Sequence, residues 1–129
     1  MPFVNINKYN NGVLLLEYYY YNKKVGEMEI KETLRREISP KKGLFLLSIY
    51  VDEKYRGGDK KFGTRLLNYL IEYAKQNDYA YILTDDSTGA NPPRNIYYKF
   101  GFMVKDDDDN WVKWNTTMEP DEERLLIIE

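Results

Sequence analysis

Among its 129 residues the sequence contains no cysteine and no histidine. Without cysteine there are no disulfides, thiolate metal sites or cysteine nucleophiles. Without histidine the usual general base, the serine-histidine-aspartate triad and most zinc sites are excluded too, so no metal centre is expected. No apolar stretch approaches the ~20 residues that cross a bilayer. The N-terminus Met-Pro-Phe-Val-Asn-Ile-Asn lacks the basic segment, apolar run and small-residue cleavage site of a secretory signal. A cytoplasmic protein without a membrane partner is therefore expected. Any chemistry must rest on carboxylates, tyrosines, lysines and the backbone.

What is present suits one soluble domain spanning residues 1–129, long enough for a single core. The net charge is −2. Thirteen tyrosines stand out, and the run Tyr18 to Tyr21 resembles a base-stacking platform. Strand alternation puts only half of that run on either face, and no basic stripe accompanies it. Packing is the expected use, with no nucleic-acid partner.

Val13 to Tyr21 and Lys24 to Glu32 read as an antiparallel hairpin turning at Asn22-Lys23. Pro40 and Gly43 mark a connection before Leu44 to Val51, an apolar run that reads as a central strand covered on both faces. Phe62, Leu66, Leu67, Leu70, Ile71 and Ala74 then recur at helical spacing up to Asn77. Tyr79 to Thr84 is the next strand, and strand, helix, strand in this order is a right-handed crossover between parallel neighbours. Pro92-Pro93 precede a predicted short helix, Arg94 to Phe100, ended by Gly101. Phe102 to Lys105 and Trp111 to Thr117 predict a second hairpin around Asp106 to Asn110. The tail opens with the helix-start composition Pro120-Asp121-Glu122-Glu123. It closes on Leu125 to Ile128, which need cover on this domain or on a second copy in a homodimer.

The segment joining the central strand to the helix is the informative one. Between Lys54 and Arg65 lie Lys54, Arg56, Lys60, Lys61 and Arg65 against the single acid Asp59. Cations at a helix N-terminus oppose its dipole, so the cluster makes sense with an anion beside it. Free backbone N–H groups at such a terminus hold phosphate well.

Val51, Arg56, Gly63, Thr64, Leu66 and Leu67 resemble motif A of the GNAT acetyltransferases. Tyr97-Tyr98-Lys99-Phe100-Gly101-Phe102 is similar to their motif B, Y-x-K-x-G-F. The resemblance covers residues 44 to 114. It implies an α/β GNAT fold: a mixed central sheet with an antiparallel N-terminal hairpin, a parallel strand-helix-strand core and a C-terminal hairpin. It further implies acetyl-CoA as acyl donor and a primary amine as acceptor, either a small polyamine-like molecule or a protein lysine or N-terminus. The family spaces its turn as R/Q-x-x-G-x-G/A, whereas seven residues separate Arg56 from Gly63 here if Arg56 is included. A phosphate loop lengthened around Gly58 to Lys60 is expected. The chain before Val13 is too short for the two helices that often wall the family's acceptor pocket.

By the same resemblance, backbone groups at Ile49 and Val51 would pair with the pantetheine arm. The N–H groups of Lys61, Phe62, Gly63 and Thr64 would take the pyrophosphate, with Arg56, Lys60 and Arg65 adding charge. Tyr97 would protonate the leaving thiolate, Tyr98 being the alternative if the helix is rotated by one residue. Asn91, or alternatively Asn95, would contact the cofactor. The general base is open: Asp85 and Asp86 lie just past the second parallel strand, and Glu27 and Glu29 are weaker options. A different class of reading is a non-catalytic acyl-CoA-binding or protein-interaction module that kept only the cofactor cleft.

Overall fold

The computed structural model describes residues 2–9 and 11–128. Eight strands form one sheet in the order β1-β2-β3-β4-β5-β8-β6-β7. In chain order they are β1 (Phe3–Lys8), β2 (Leu14–Tyr20), β3 (Lys23–Thr33), β4 (Gly43–Val51), β5 (Tyr81–Asp85), β6 (Met103–Lys105), β7 (Trp111–Lys113) and β8 (Glu123–Ile127). Helix α1 (Phe62–Gln76) joins β4 to β5, and the single-turn α2 (Ile96–Lys99) precedes β6. Among the described residues only β4 and β5 run parallel; this is the mixed α/β sheet the motifs implied.

The β2–β3 hairpin turns at Tyr21 and Asn22, with φ of 50° and 64°, the positive pair that a two-residue hairpin turn needs. The turn thus sits one residue before its expected place. Each strand of the crossover feeds two cores. Leu44, Leu46 and Ile82 face Leu66, Leu67, Leu70 and Ala74 of α1, together with Met28 and Ile30 of β3. Phe45, Tyr81 and Leu83 point to the opposite face and pack with Ile38 and Leu125. Gly43 permits this: a Cβ there would lie 2.3 Å from the Tyr81 ring.

Two local expectations are corrected and one strand is added. The edge strand β1 was not foreseen, because its positions are almost all exposed and carry no alternation. The helix near Tyr97 is shorter than predicted, since the buried Asn95 side chain caps it by accepting from the N–H groups of Tyr97 and Tyr98. The tail is a strand, not a helix. It enters between β5 and the β6–β7 hairpin, pairing antiparallel with β5 from Tyr81↔Ile127 to Asp85↔Glu123. Leu125 drops into one core and Leu126 packs against the other, so this chain itself covers the apolar tail.

Candidate active site

The site arises where β4 and β5 part company. They pair over three rungs, ending at Leu46↔Thr84. On its other side β4 carries a bulge: Ile30 faces Leu46 while Glu29 faces Ser48, leaving Leu47 extra. A bulge bends its strand, and β4 beyond it has no partner on the β5 side. The gap opens into a cavity of about 740 Å³.

Of the residues expected at the cofactor, Ile49, Val51, Arg56, Lys61, Phe62, Gly63 and Thr64 line this cavity, and so does Tyr97. Arg56 is fixed at its mouth by an Nε hydrogen bond to the Val51 carbonyl of 2.7 Å, its guanidinium 5.0 Å over the Tyr50 ring. Lys61 stands before α1 in the left-handed region (φ 50°), and no side chain caps the helix. Its first N–H groups are thus left for a ligand. Gly57 and Gly58, with φ of 70° and 80°, give the lengthened loop its path and also line the cavity.

The lining carries Arg56, Lys61 and Lys99 and no carboxylate. None of Arg56, Lys60, Lys61 and Arg65 makes an ion pair with a carboxylate among the described residues. Lys60 and Arg65 do not line the cavity; both cations lie over the Tyr20 ring, at 5.0 and 5.2 Å, and the Lys60 ammonium lowers the Tyr20 phenol below its usual range.

The two tyrosines of motif B separate. Tyr98 packs edge-on against Trp114, whereas Tyr97, 3 % exposed, reaches the gap. Its hydroxyl meets the Thr84 side chain. Thr84 Oγ1 donates to the Leu46 carbonyl at 2.9 Å, and Thr84 and Arg124 work against the effect of burial on the phenol. Burial pushes the Tyr97 phenol above its ordinary value, so it stays protonated across the physiological range.

Three expected site residues lie elsewhere. Asn91 lines a separate cavity on the far side of the loop after β5. Asp85 is exposed at the strand end and does not line the main cavity. Asp86 is 6 % exposed and committed to structure. It accepts from Thr88 N–H and Oγ1 (3.0 and 2.6 Å) and from Asn95 Nδ2 (2.6 Å), and pairs with Arg124 at 3.2 Å. Although burial pushes its carboxyl up, these partners hold it below the usual range. A carboxylate so stabilised is a poor base. Asn95 joins this network, so Asp86 fixes the helix that carries Tyr97.

Sequence reasoning missed the clamp because its charge partner, Arg124, arrives from the tail strand. Glu29, expected as one of the weaker options for the base, lies on β3. This half-buried carboxylate accepts from Ser48 Oγ at 3.0 Å, at the bulge rung and on the sheet face away from α1. Among the described residues no group of acidic side chains is placed to hold a metal ion, and no helix is long and apolar enough to cross a membrane.

The model of the acetyltransferase (GNAT) family matches residues 3–102. No curated protein matches the chain significantly. Among solved structures, a GNAT family acetyltransferase from Elizabethkingia anophelis with acetyl-CoA bound is 18% identical, with 99% of this chain and 97% of that one covered at a TM-score of 0.66. An IAA acetyltransferase from Bacillus cereus is 14% identical over 98% and 99% of the two chains, TM-score 0.67. The PaiA N-acetyltransferase from Thermoplasma acidophilum in complex with coenzyme A is 21% identical over 79% of this chain and 59% of that one, TM-score 0.55.

Proposed function

Because the chain belongs to the GNAT acetyltransferase family, we propose that it moves an acetyl group from acetyl-CoA to a primary amine by direct attack in a ternary complex. The observation that carries this reading is the cavity at the parted ends of β4 and β5, cationic, free of carboxylates and walled by the Tyr97 phenol. A polyanionic thioester suits such a lining. Backbone groups of Ile49 and Val51, unpaired on the β5 side, accept the pantetheine amides as a strand edge accepts a peptide. The N–H groups of Phe62, Gly63 and Thr64 receive the pyrophosphate with help from Arg56 and Lys61.

No acid lines the cavity, so the acceptor ammonium loses its proton at the other face of the sheet. Glu29, held by Ser48 beside the gap, is the base in this reading. The free amine attacks the thioester carbonyl carbon, the C–N bond forms, the nitrogen of the tetrahedral intermediate releases its second proton to solvent, and the intermediate collapses to the amide with cleavage of the C–S bond. Tyr97 gives its proton to the thiolate and is reprotonated from solvent. In water a phenol is a weaker acid than a thiol, with pKa values of about 10 and 8.5. Burial raises both acids, so the transfer runs uphill and is drawn forward by the reprotonation of Tyr97 from solvent.

The test is thermal unfolding with acetyl-CoA, with adenine nucleotides as control, followed by thiol release in the presence of amines. At a hundred times its dissociation constant acetyl-CoA should add about 2.7 kcal/mol of stability. No shift would sink the cofactor assignment. A shift without thiol release from any amine would favour a non-catalytic acyl-CoA-binding module.

A further inference from the structure

The outer strand β1 has no neighbour on its far side among the described residues, and its sequence offers little protection for such an edge. Phe3 to Asn7 carry no charge and no proline, and the strand pairs with β2 without a shift in register. Edges are normally blunted by charge, proline or a bulge, because their unpaired N–H and C=O groups otherwise recruit another strand. Which groups point outward follows from the turn. The Tyr9 N–H donates to the Val13 carbonyl at 2.9 Å, continuing the β1–β2 register, so Tyr9 bonds inward to β2. Backbone direction alternates along an antiparallel strand. Phe3, Asn5 and Asn7 therefore bond inward as well, and Val4, Ile6 and Lys8 turn their N–H and C=O groups outward.

Apolar side chains are exposed along the same edge. Phe3, Ile6 and Tyr9 are 48, 44 and 43 % exposed, and Phe3 is held by stacking on Tyr19 with centroids 4.8 Å apart. The matching occupant is an extended, nearly neutral strand with apolar groups at these positions, a description that β1 itself meets. Two copies related by a two-fold axis perpendicular to the sheet pair antiparallel, and residues opposite each other then share a face. Centred on Ile6, that pairing sets Ile6 against Ile6, Val4 against Lys8, Asn5 against Asn7 and Phe3 against Tyr9. Every outward N–H and C=O of β1 gains a partner, and each exposed apolar side chain of the edge meets another. Centred on Asn5, Lys8 would instead face Pro2, which has no N–H; centred on Asn7, Val4 would face chain beyond the end of β1. Charge agrees with the Ile6 register. Lys8, the one charged residue from Phe3 to Tyr9, lays its stem along Val4, and the two lysines stand about 13 Å apart along the seam, beyond a Debye length of about 8 Å at physiological salt.

We propose that β1 is a dimerisation strand: two copies of this chain join edge to edge in antiparallel register about Ile6, so that one sheet runs through both. The apolar tail, paired with β5 of its own chain, takes no part. One strand with its side chains from each copy makes an interface at the small end of the range for specific contacts, so a dissociation constant in the micromolar range is expected. The inference is independent of the transferase reading.

Sedimentation velocity over a concentration series bracketing the micromolar range should show a monomer–dimer equilibrium. Ile6→Lys sets two like charges opposite each other on the axis. Because Ile6 is exposed, the fold should survive, which far-ultraviolet circular dichroism checks, while the dissociation constant rises about tenfold or more. Cross-linking reads the register. The chain has no cysteine, so Ile6→Cys introduces a single thiol that meets its own counterpart with Cα atoms about 5.5 Å apart, within disulfide reach. Mild oxidation should convert this variant to a covalent dimer. Phe3→Cys, at a similarly exposed position, sends the two thiols to opposite ends of the seam and should cross-link at least about tenfold more slowly. A monomer at every concentration, a dimer that Ile6→Lys leaves intact, or Phe3→Cys cross-linking as fast as Ile6→Cys would overturn the proposal.

Discussion

At the scale of single residues, the proposed mechanism divides acid and base between the two faces of the sheet. Tyr97 belongs to the core on the α1 side, while Glu29 and Ser48 meet on the other. Tyr97→Phe keeps the ring and its edge-on contact with Phe102 and removes only the proton. The turnover rate constant should fall about a hundredfold or more while the acetyl-CoA dissociation constant hardly changes; equal loss of both would make Tyr97 a packing residue. Glu29→Gln keeps a hydrogen-bond acceptor for Ser48 but cannot take a proton. Its kcat/KM should fall by a similar factor at pH 7 and recover as pH approaches the pKa of the acceptor amine, where free amine arrives without help. A loss that pH does not relieve would show that Glu29 merely holds the strands in register. The clamp at Asp86 could not be read from the chain, because a carboxylate at the start of the polar loop after β5 looks solvent-facing until Arg124 arrives from a strand near the other end of the sequence.

Between elements, the C-terminal end of α1 is tied to the sheet by a tyrosine stack. Tyr69 and Tyr73 lie 6.4 Å apart, Tyr73 and Tyr79 6.5 Å, and Tyr79 donates to Glu32 Oε2 on β3 at 2.7 Å. Burial first, and then the Glu32 carboxylate, push the Tyr79 phenol far above its ordinary value; burial also raises Tyr69 and Tyr73. The sign follows from the neutral phenol being the form the folded state keeps. In the unfolded chain these groups ionise near pH 10, at about the model-peptide value, while in the fold they resist. The stabilisation is thus complete below about pH 10 and is lost as pH rises from there toward the folded-state values. Denaturant midpoints at pH 8 and pH 11 should fall sharply for the native sequence. Tyr79→Phe should start lower at pH 8, lacking the Glu32 bond, and fall less; an unchanged pH slope would refute the assignment. Helix α1 itself was legible in the sequence, since its apolar positions are the ones it buries, Ile71 aside, which is only half-buried. The tail was not. Pro120 to Glu123 imitate a helix start, and what makes a strand of the tail is the free flank of β5, a non-local fact. Likewise β1 owes its existence to pairing with β2 from Phe3↔Tyr19 to Lys8↔Leu14, not to any buried face of its own.

For the molecule as a whole, the net charge of −2 conceals a division of labour. The cations of the β4–α1 connection gather around the main cavity, and the acids collect on the open sheet face and around the separate cavity at Asn91. On that open face Glu17 and Glu27 stand directly opposite each other, a pairing that would repel. Lys24 bridges them at 2.8 and 2.5 Å, and the two carboxylates raise its ammonium pKa well above the usual range. Among the described residues the connection between β1 and β2 carries no helix to cover this face, and the half-buried Glu29 is reachable from solvent. Such a charge distribution was half visible in the sequence: the basic run of the loop is contiguous, whereas the acidic face is assembled from strands whose register no spacing reveals. It has a measurable consequence. Arg56 and Lys61 sit at a solvent-facing cavity mouth, so their attraction for a donor's phosphates is screened over a Debye length that shrinks from about 30 Å at 0.01 M salt to about 8 Å at 0.15 M. Raising salt across that range should weaken acetyl-CoA binding severalfold. A truncated donor, S-acetyl-pantetheine, has no phosphates and relies on the β4 edge alone, so its weaker binding should hardly respond. If both donors lose affinity in parallel, the cations are bystanders and the loop holds its ligand by backbone geometry; if only acetyl-CoA responds, the basic cluster in the phosphate loop is what offsets the acidity of the rest of the chain.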